Sequence, residues 1–190
     1  MIPETHFDFP HAWDVETLER PPLIAPGRQF VYPAQVEEIE RGALLLDVRP
    51  QEGSRFLATC ALGFADPGVP TGVWSCPNPL QLCAAAGGYV YLIDSADPAK
   101  WEQAPYRPVL EVRALPEQGL LLFAGHHSLL AWGRAGAAWQ TGRLSWEGVR
   151  ISGVTGDELT GFGWDLMADR EVEFVVDLKT GEHRGGTAPR

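Results

Sequence analysis

Two adjacent histidines, His126 and His127, are the residues of this chain best suited by type to chemistry. They occupy a short polar turn between two apolar runs, residues 120–124 and 129–132. Imidazole exchanges protons near neutral pH and binds metals, so either side chain could act as a general base or a metal ligand. Adjacent residues of an extended segment point to opposite faces, so we do not expect both in one site. A turn whose polar groups only bond the backbone is the simpler interpretation.

Asp165 is the carboxylate that would assist a histidine if the protein were a hydrolase or isomerase. Aspartates at strand ends more often accept hydrogen bonds from nearby backbone groups, which needs no catalytic explanation. The chain has no phosphate-binding loop, no nucleophile elbow and no zinc-protease motif. Residues 161–164 (Gly-Phe-Gly-Trp) lack the third glycine of a dinucleotide site. Catalysis is therefore the second hypothesis for this chain, with His126, His127 and Asp165 as its candidates.

The three cysteines do not have the spacing of a zinc site. Cys76 and Cys83 are seven positions apart and Cys60 is farther away, whereas paired zinc ligands are usually separated by two to four residues. We expect Cys83 to be buried and Cys76, which lies among prolines, to be on a loop. The sequence therefore predicts neither a metal site nor a cofactor, and an odd number of thiols predicts a reducing, cytoplasmic compartment.

Seven tryptophans are a high content for 190 residues. Two of them, Trp132 and Trp164, lie inside expected strands and are predicted to be core residues. Four others lie near expected strand ends or loops, where flat aromatic side chains could form a binding face for a protein or a sugar. These four candidates are Trp74, Trp101, Trp139 and Trp146.

The net charge of −10 and the pI near 4.9 argue against nucleic acid and anionic membranes as partners. No apolar run reaches the roughly 18 residues that a membrane span requires. The first 14 residues have neither the basic region nor the apolar region of a signal peptide, in agreement with a cytoplasmic protein.

Short apolar runs separated by glycine and proline predict an all-β fold. The strand-like runs 43–48, 89–93, 129–132 and 174–178 recur at intervals of about 40 to 46 residues, and a shift of 40 residues lays 80–93 onto 120–133. This period resembles that of β-propeller blades, and 176–181 resembles the strand and turn that close many blades. The resemblance implies a propeller-like array of three to four antiparallel blade-like units. A β-sandwich or a partly open β-barrel is the alternative.

We predict one β domain over residues 1–190, with an irregular N-terminal arm (1–27), a repeat body (28–184) and a frayed tail (185–190). Within the arm, residues 12–20 could form a short helix with Asp14 as its N-cap. The predicted core residues share strong apolar surroundings: Val90, Leu92, Leu122, Phe123, Leu130 and Val175.

The favoured function is a binding or protein-interaction module, with a basic protein as the expected partner for so acidic a chain. The exact partner, whether a protein or a small molecule, cannot be named from the sequence. An array that does not close leaves strand edges open, so we also expect a homodimer through the arm and the final apolar strand, 172–178.

Overall fold

The computed structural model describes residues 3–24, 26–34 and 36–187. The chain divides into two compact units, unit 1 over Met1–Pro108 and unit 2 over Val109–Arg190. Each unit is built from β-strands, with a short 3-10 helix in each, so the all-β prediction is confirmed. That the whole chain is one domain stays a prediction.

Unit 1 contains nine strands and the 3-10 helix Val36–Arg41. The strands are β1 (Glu4–His6), β2 (Trp13–Leu18), β3 (Gln29–Tyr32), β4 (Ala43–Pro50), β5 (Phe56–Ala61), β6 (Gly72–Ser75), β7 (Gln81–Ala86), β8 (Tyr89–Asp94) and β9 (Trp101–Gln103). They form two sheets: sheet I in the order β2-β4-β5-β3 and sheet II in the order β1-β6-β7-β8-β9.

The N-terminal arm is not irregular throughout, because it supplies two strands. The segment predicted as a helix is instead β2, whose pairing with β4 is antiparallel. Its β-branched residues Val15 and Thr17 favour an extended chain, and Trp13 is almost completely buried. The first strand, β1, joins sheet II in parallel with β6.

The core of unit 1 lies between its two sheets. Leu46, Val48 and Phe56 of sheet I pack in one apolar cluster with Leu82 and Ile93 of sheet II. Hydrogen bonds from aromatic side chains add to the cohesion of the unit: Trp13 Nε1 donates to Gln81 O at 3.1 Å, and Tyr91 Oη donates to Ala61 O at 2.9 Å.

Unit 2 contains eight strands and the 3-10 helix Pro116–Gln118. The strands are β10 (Glu111–Leu115), β11 (Leu120–Ala124), β12 (Leu129–Gly133), β13 (Gly136–Gln140), β14 (Val149–Thr155), β15 (Glu158–Asp165), β16 (Arg170–Asp177) and β17 (His183–Gly185). β10 to β13 form sheet III and β14 to β17 form sheet IV, each an antiparallel meander.

The core of unit 2 lies between sheets III and IV and includes Leu122, Leu129, Leu159 and Phe174. The core prediction is confirmed for five residues, which are at most 3% exposed: Val90, Leu92, Leu122, Phe123 and Leu130. It is wrong for Val175, which is only partly buried, because the alternation of β16 turns Phe174 and Val176 inward.

The ends of unit 2 also differ from expectation. The final apolar strand is not an open edge, because β17 pairs with β16 at Phe174, Val175 and Val176. The predicted frayed tail is wrong for its first residues, since Gly185 belongs to β17 and Thr187 is buried; residues 188–190 lie outside the described part of the chain. The homodimer stays a prediction without its main premise.

The second strands of the four sheets start at residues 43, 81, 120 and 158, at intervals of 38 or 39 residues. The 40-residue shift is correct for β8 and β12, which start at residues 89 and 129, but two residues too long for the ends of β7 and β11 at Ala86 and Ala124. The difference lies in the turns: residues 87–88 join β7 to β8, whereas residues 125–128, which we name the histidine turn, join β11 to β12.

Candidate functional site

The histidine turn is held through its backbone by residues 141–148, the connecting segment that leads from β13 to β14. Leu144 N donates to His127 O at 2.7 Å, and Gly148 N donates to His126 O at 2.9 Å. Both histidine side chains are exposed. The connecting segment was partly predicted as a strand at residues 143–146; it is irregular because its backbone groups bond this turn instead of a continuous ladder.

The side chain of His127 lies against the connecting segment. Its Nδ1 is 3.1 Å from Ser145 O and 3.2 Å from Arg143 Nη1. One nitrogen cannot donate to the carbonyl and accept from the guanidinium at once, so the tautomer of His127 selects one of the two bonds. The rings of His126 and His127 are tilted, with centroids 6.3 Å apart. His127 therefore acts as a brace of the segment in this structure.

Asp165 terminates β15 and caps the following turn. Its Oδ1 accepts hydrogen bonds from Met167 N at 2.8 Å and Ala168 N at 3.1 Å. These are the local backbone contacts that the sequence offered as the non-catalytic interpretation of this residue. The structure thus gives Asp165 a turn-forming role and shows no hydrogen bond from its carboxylate to either histidine among the described residues.

Ser145, which the sequence did not single out, connects the histidine turn to β15. It is fully buried, and its Oγ accepts hydrogen bonds from Trp164 N at 2.8 Å and Glu147 N at 3.2 Å. Its carbonyl is the group beside His127 Nδ1. A serine in a polar loop carries no distinctive sequence signal, so only the fold reveals this position.

Two of the four tryptophans proposed for binding lie in unit 1, and both are in strands. Trp74 belongs to β6, is 3% exposed and stacks on His6 with centroids 5.2 Å apart, so its prediction as a loop residue is wrong. Trp101 begins β9, is partly buried, and meets Tyr32 edge-on at 5.4 Å. Neither forms an open aromatic surface.

The other two, Trp139 and Trp146, lie in unit 2 and are partly buried. Trp139 is structural, because its Nε1 donates to Leu178 O at 2.8 Å and joins sheet III to sheet IV. Trp146 belongs to the connecting segment, and the Arg143 guanidinium carbon lies 3.9 Å from its ring centre. Of the four candidates, Trp146 is therefore the one placed beside the histidine turn.

Trp164, predicted as core, is instead partly exposed on the outer surface of sheet IV. Alternation along β15 turns Gly161 and Gly163 inward and Phe162 and Trp164 outward. Register then sets Arg150 of β14 beside Phe162, and Glu171 of β16 beside Trp164. We name this surface the Trp164 face; its members are Glu147, Arg150, Phe162, Trp164 and Glu171.

The Trp164 face lines a shallow cleft of about 300 Å³. Within it the Arg150 guanidinium carbon lies 4.7 Å from the Phe162 ring centre, and Arg150 Nη2 donates to Glu171 Oε1 at 2.8 Å. The carboxylates of Glu147 and Glu171 thus stand beside aromatic rings, one of which already holds a guanidinium. This arrangement can stack and neutralise a cationic group.

Gly163 permits the close approach of the connecting segment to β15. A Cβ atom at this position would lie 2.1 Å from Leu144 O and 2.9 Å from Ser145 Cβ. The glycines of 161–164, which fail as a dinucleotide motif, therefore have a packing role. They bring the connecting segment, with Ser145 and Trp146, directly against the strand that carries Trp164.

The three cysteines are free and fully buried, which confirms Cys83 and corrects Cys76, predicted on a loop. Burial raises the pKa of all three thiols far above its ordinary value, so none is a ready nucleophile. Among the described residues, no three His, Cys, Asp or Glu side chains converge as metal ligands. The absence of a metal and of a cofactor stays a prediction.

Comparison with known protein families and with curated proteins finds no match to this chain. Within residues 3–24, 26–34 and 36–187, no helix has the length and apolarity to cross a membrane.

Proposed function

We propose that this protein is an interaction module that binds a basic protein through the Trp164 face. The observation that carries the proposal is the pairing of exposed aromatic rings with carboxylates on one strand surface, Phe162 and Trp164 beside Glu147 and Glu171. Arginine is the cation best matched to such a surface, because its planar guanidinium stacks on a ring while its N–H groups bond a carboxylate.

The protein's own arginines demonstrate this chemistry at the site. Arg150 stacks on Phe162 and pairs with Glu171, and Arg143 stacks on Trp146 in the adjacent connecting segment. An arginine of a partner would meet the same combination at Trp164. The net charge of −10 favours the approach of a basic partner over a long range.

The proposal includes a propeller-like arrangement of the four sheets as blade-like units. Its support is that four sheets of four or five strands follow one another along the chain, with second strands starting 38 or 39 residues apart. Three of them follow a simple meander from β6 to β9, from β10 to β13 and from β14 to β17. A cytoplasmic location is also part of the proposal and agrees with three unpaired cysteines.

The alternative, a hydrolase or isomerase, requires His126 or His127 beside a carboxylate in a cleft. His127 instead braces Ser145, and Asp165 caps its own turn. The geometry therefore supports binding better than catalysis.

A photo-crosslinking amino acid at Thr160 tests the proposal in cells that make the protein. Thr160 is exposed on β15, on the same side of the strand as Phe162 and Trp164. We expect an adduct with a protein of basic isoelectric point, identified by mass spectrometry. The control site is Arg134, exposed between β12 and β13, from which we expect no such adduct. Equal adducts from both sites, or adducts only with acidic proteins, would contradict the proposal.

A further inference from the structure

The largest described cavity in unit 1 is separate in its residues from the Trp164 face and lies where the ends of sheets I and II meet. It encloses about 420 Å³ and is lined by the end of β2, the start of β4, the segment after β5 and the residues that precede β1 and β6. A volume of this size is in the range of small-molecule sites in proteins.

The walls of the cavity are mainly apolar. Its apolar side chains come from four places in the chain: Leu18, Ala43, Leu44, Leu62, Phe64 and Ala65. Phe64 is 43% exposed although it is a large aromatic residue, and its ring meets Tyr89 edge-on with centroids 5.9 Å apart. An occupant with an apolar body would cover this side chain and remove its contact with water.

The polar groups of the cavity are few and have one sign of charge. Glu19 is the one ionisable side chain among the described lining residues, and the described residues supply no ion-pair partner for it. Thr17 and Thr71 line the same space, and Thr71 Oγ1 already accepts a hydrogen bond from Gly87 N at 2.9 Å. The free hydrogen-bonding capacity at the cavity therefore favours a ligand that carries a positive charge.

The charge of the whole unit acts in the same direction. Residues 1–108 contain 14 acidic and seven basic side chains by sequence, so unit 1 holds most of the protein's negative charge. A potential of this sign raises the local concentration of cations and repels carboxylates.

We propose that this cavity binds a small hydrophobic amine, with its apolar chain against Leu44, Leu62 and Phe64 and its ammonium group at the Glu19 carboxylate. Three properties of the site combine in this ligand class: an enclosed apolar volume, a single unpaired carboxylate at its lining, and an acidic surrounding.

Calorimetric titration of the full-length protein with octylamine, octanol and octanoate at neutral pH tests this. The three probes share one chain length and differ in the charge of the head group. We expect octylamine to bind at least tenfold more tightly than octanol, and octanoate most weakly. Hexylamine should bind about fourfold more weakly for each methylene group removed, because each buried methylene contributes by the hydrophobic effect.

Two variants and one control assign the binding to this cavity. Glu19→Gln should reduce octylamine binding to the level of octanol and leave octanol unchanged, and Ala43→Leu, which fills the cavity, should weaken both. Glu52→Gln removes an exposed carboxylate that does not line the cavity and should change neither. Unchanged unfolding midpoints show that the variants fold. No preference for the amine, no effect of Ala43→Leu, or an equal loss in Glu52→Gln would overturn the proposal.

Discussion

Replacing Phe174 by alanine should lower the free energy of unfolding by about 3–5 kcal/mol, the cost of removing a large aromatic side chain from a packed core. Phe174 is 1% exposed, belongs to the core between sheets III and IV, and lies so close to Gly161 that a Cβ there would be 2.3 Å from its ring. Urea titration of the full-length protein, followed by tryptophan fluorescence, measures the loss.

Val175→Ala is the matched control, because this neighbour on β16 points to the other face of sheet IV and is only partly buried. We expect a loss below about 1 kcal/mol, within the range of strand propensities. Similar losses for the two variants would mean that the inward and outward faces of β16 are assigned incorrectly, and with them the register that places Glu171 beside Trp164.

Gly163→Ala should destabilise unit 2 by about 1–3 kcal/mol, the usual range for overpacking. The added methyl group would lie 2.1 Å from Leu144 O, so the connecting segment must move away from β15. We expect the displacement to break the hydrogen bond from Trp164 N to Ser145 Oγ. Amide hydrogen exchange at Trp164, measured together with the unfolding midpoint, should therefore become faster.

Gly153→Ala provides the comparison in the same sheet. A Cβ at Gly153 would make an ordinary contact of 3.5 Å with Thr160 Oγ1, so this variant should leave stability unchanged or raise it slightly. If Gly163→Ala were equally harmless, the close approach of the connecting segment would not be a requirement of the site.

Local pattern was sufficient to predict several strands. The runs around Leu122 and Leu130 form the central hairpin of sheet III as expected, since both are apolar and a polar turn separates them. Local pattern could not reveal that residues 4–6 would pair with β6, because the partner lies more than 60 positions away. Residues 13–18 illustrate the same limit: their strand is fixed by pairing with β4, not by their own sequence.

The tryptophans show why the candidate site was only partly predictable. Trp74 and Trp164 exchange their expected roles: the first is buried in β6 and the second is exposed on β15. The alternation of glycine and aromatic residues at 161–164 was the available signal, because a strand with glycines on one face must receive another part of the chain closely there. Which part would approach, the connecting segment with Ser145, depends on the tertiary fold.

Binding of an arginine-rich peptide, measured by isothermal titration calorimetry, tests the central claim most directly. We predict that the intact protein binds this peptide more tightly than a lysine peptide of the same length and charge, because only guanidinium groups stack on the rings. Trp164→Ala should weaken binding about tenfold, whereas Glu117→Gln, at an exposed residue before β11, should have no effect. Equal affinity for the two peptides, or unchanged affinity in Trp164→Ala, would contradict the assignment of the Trp164 face as the binding surface.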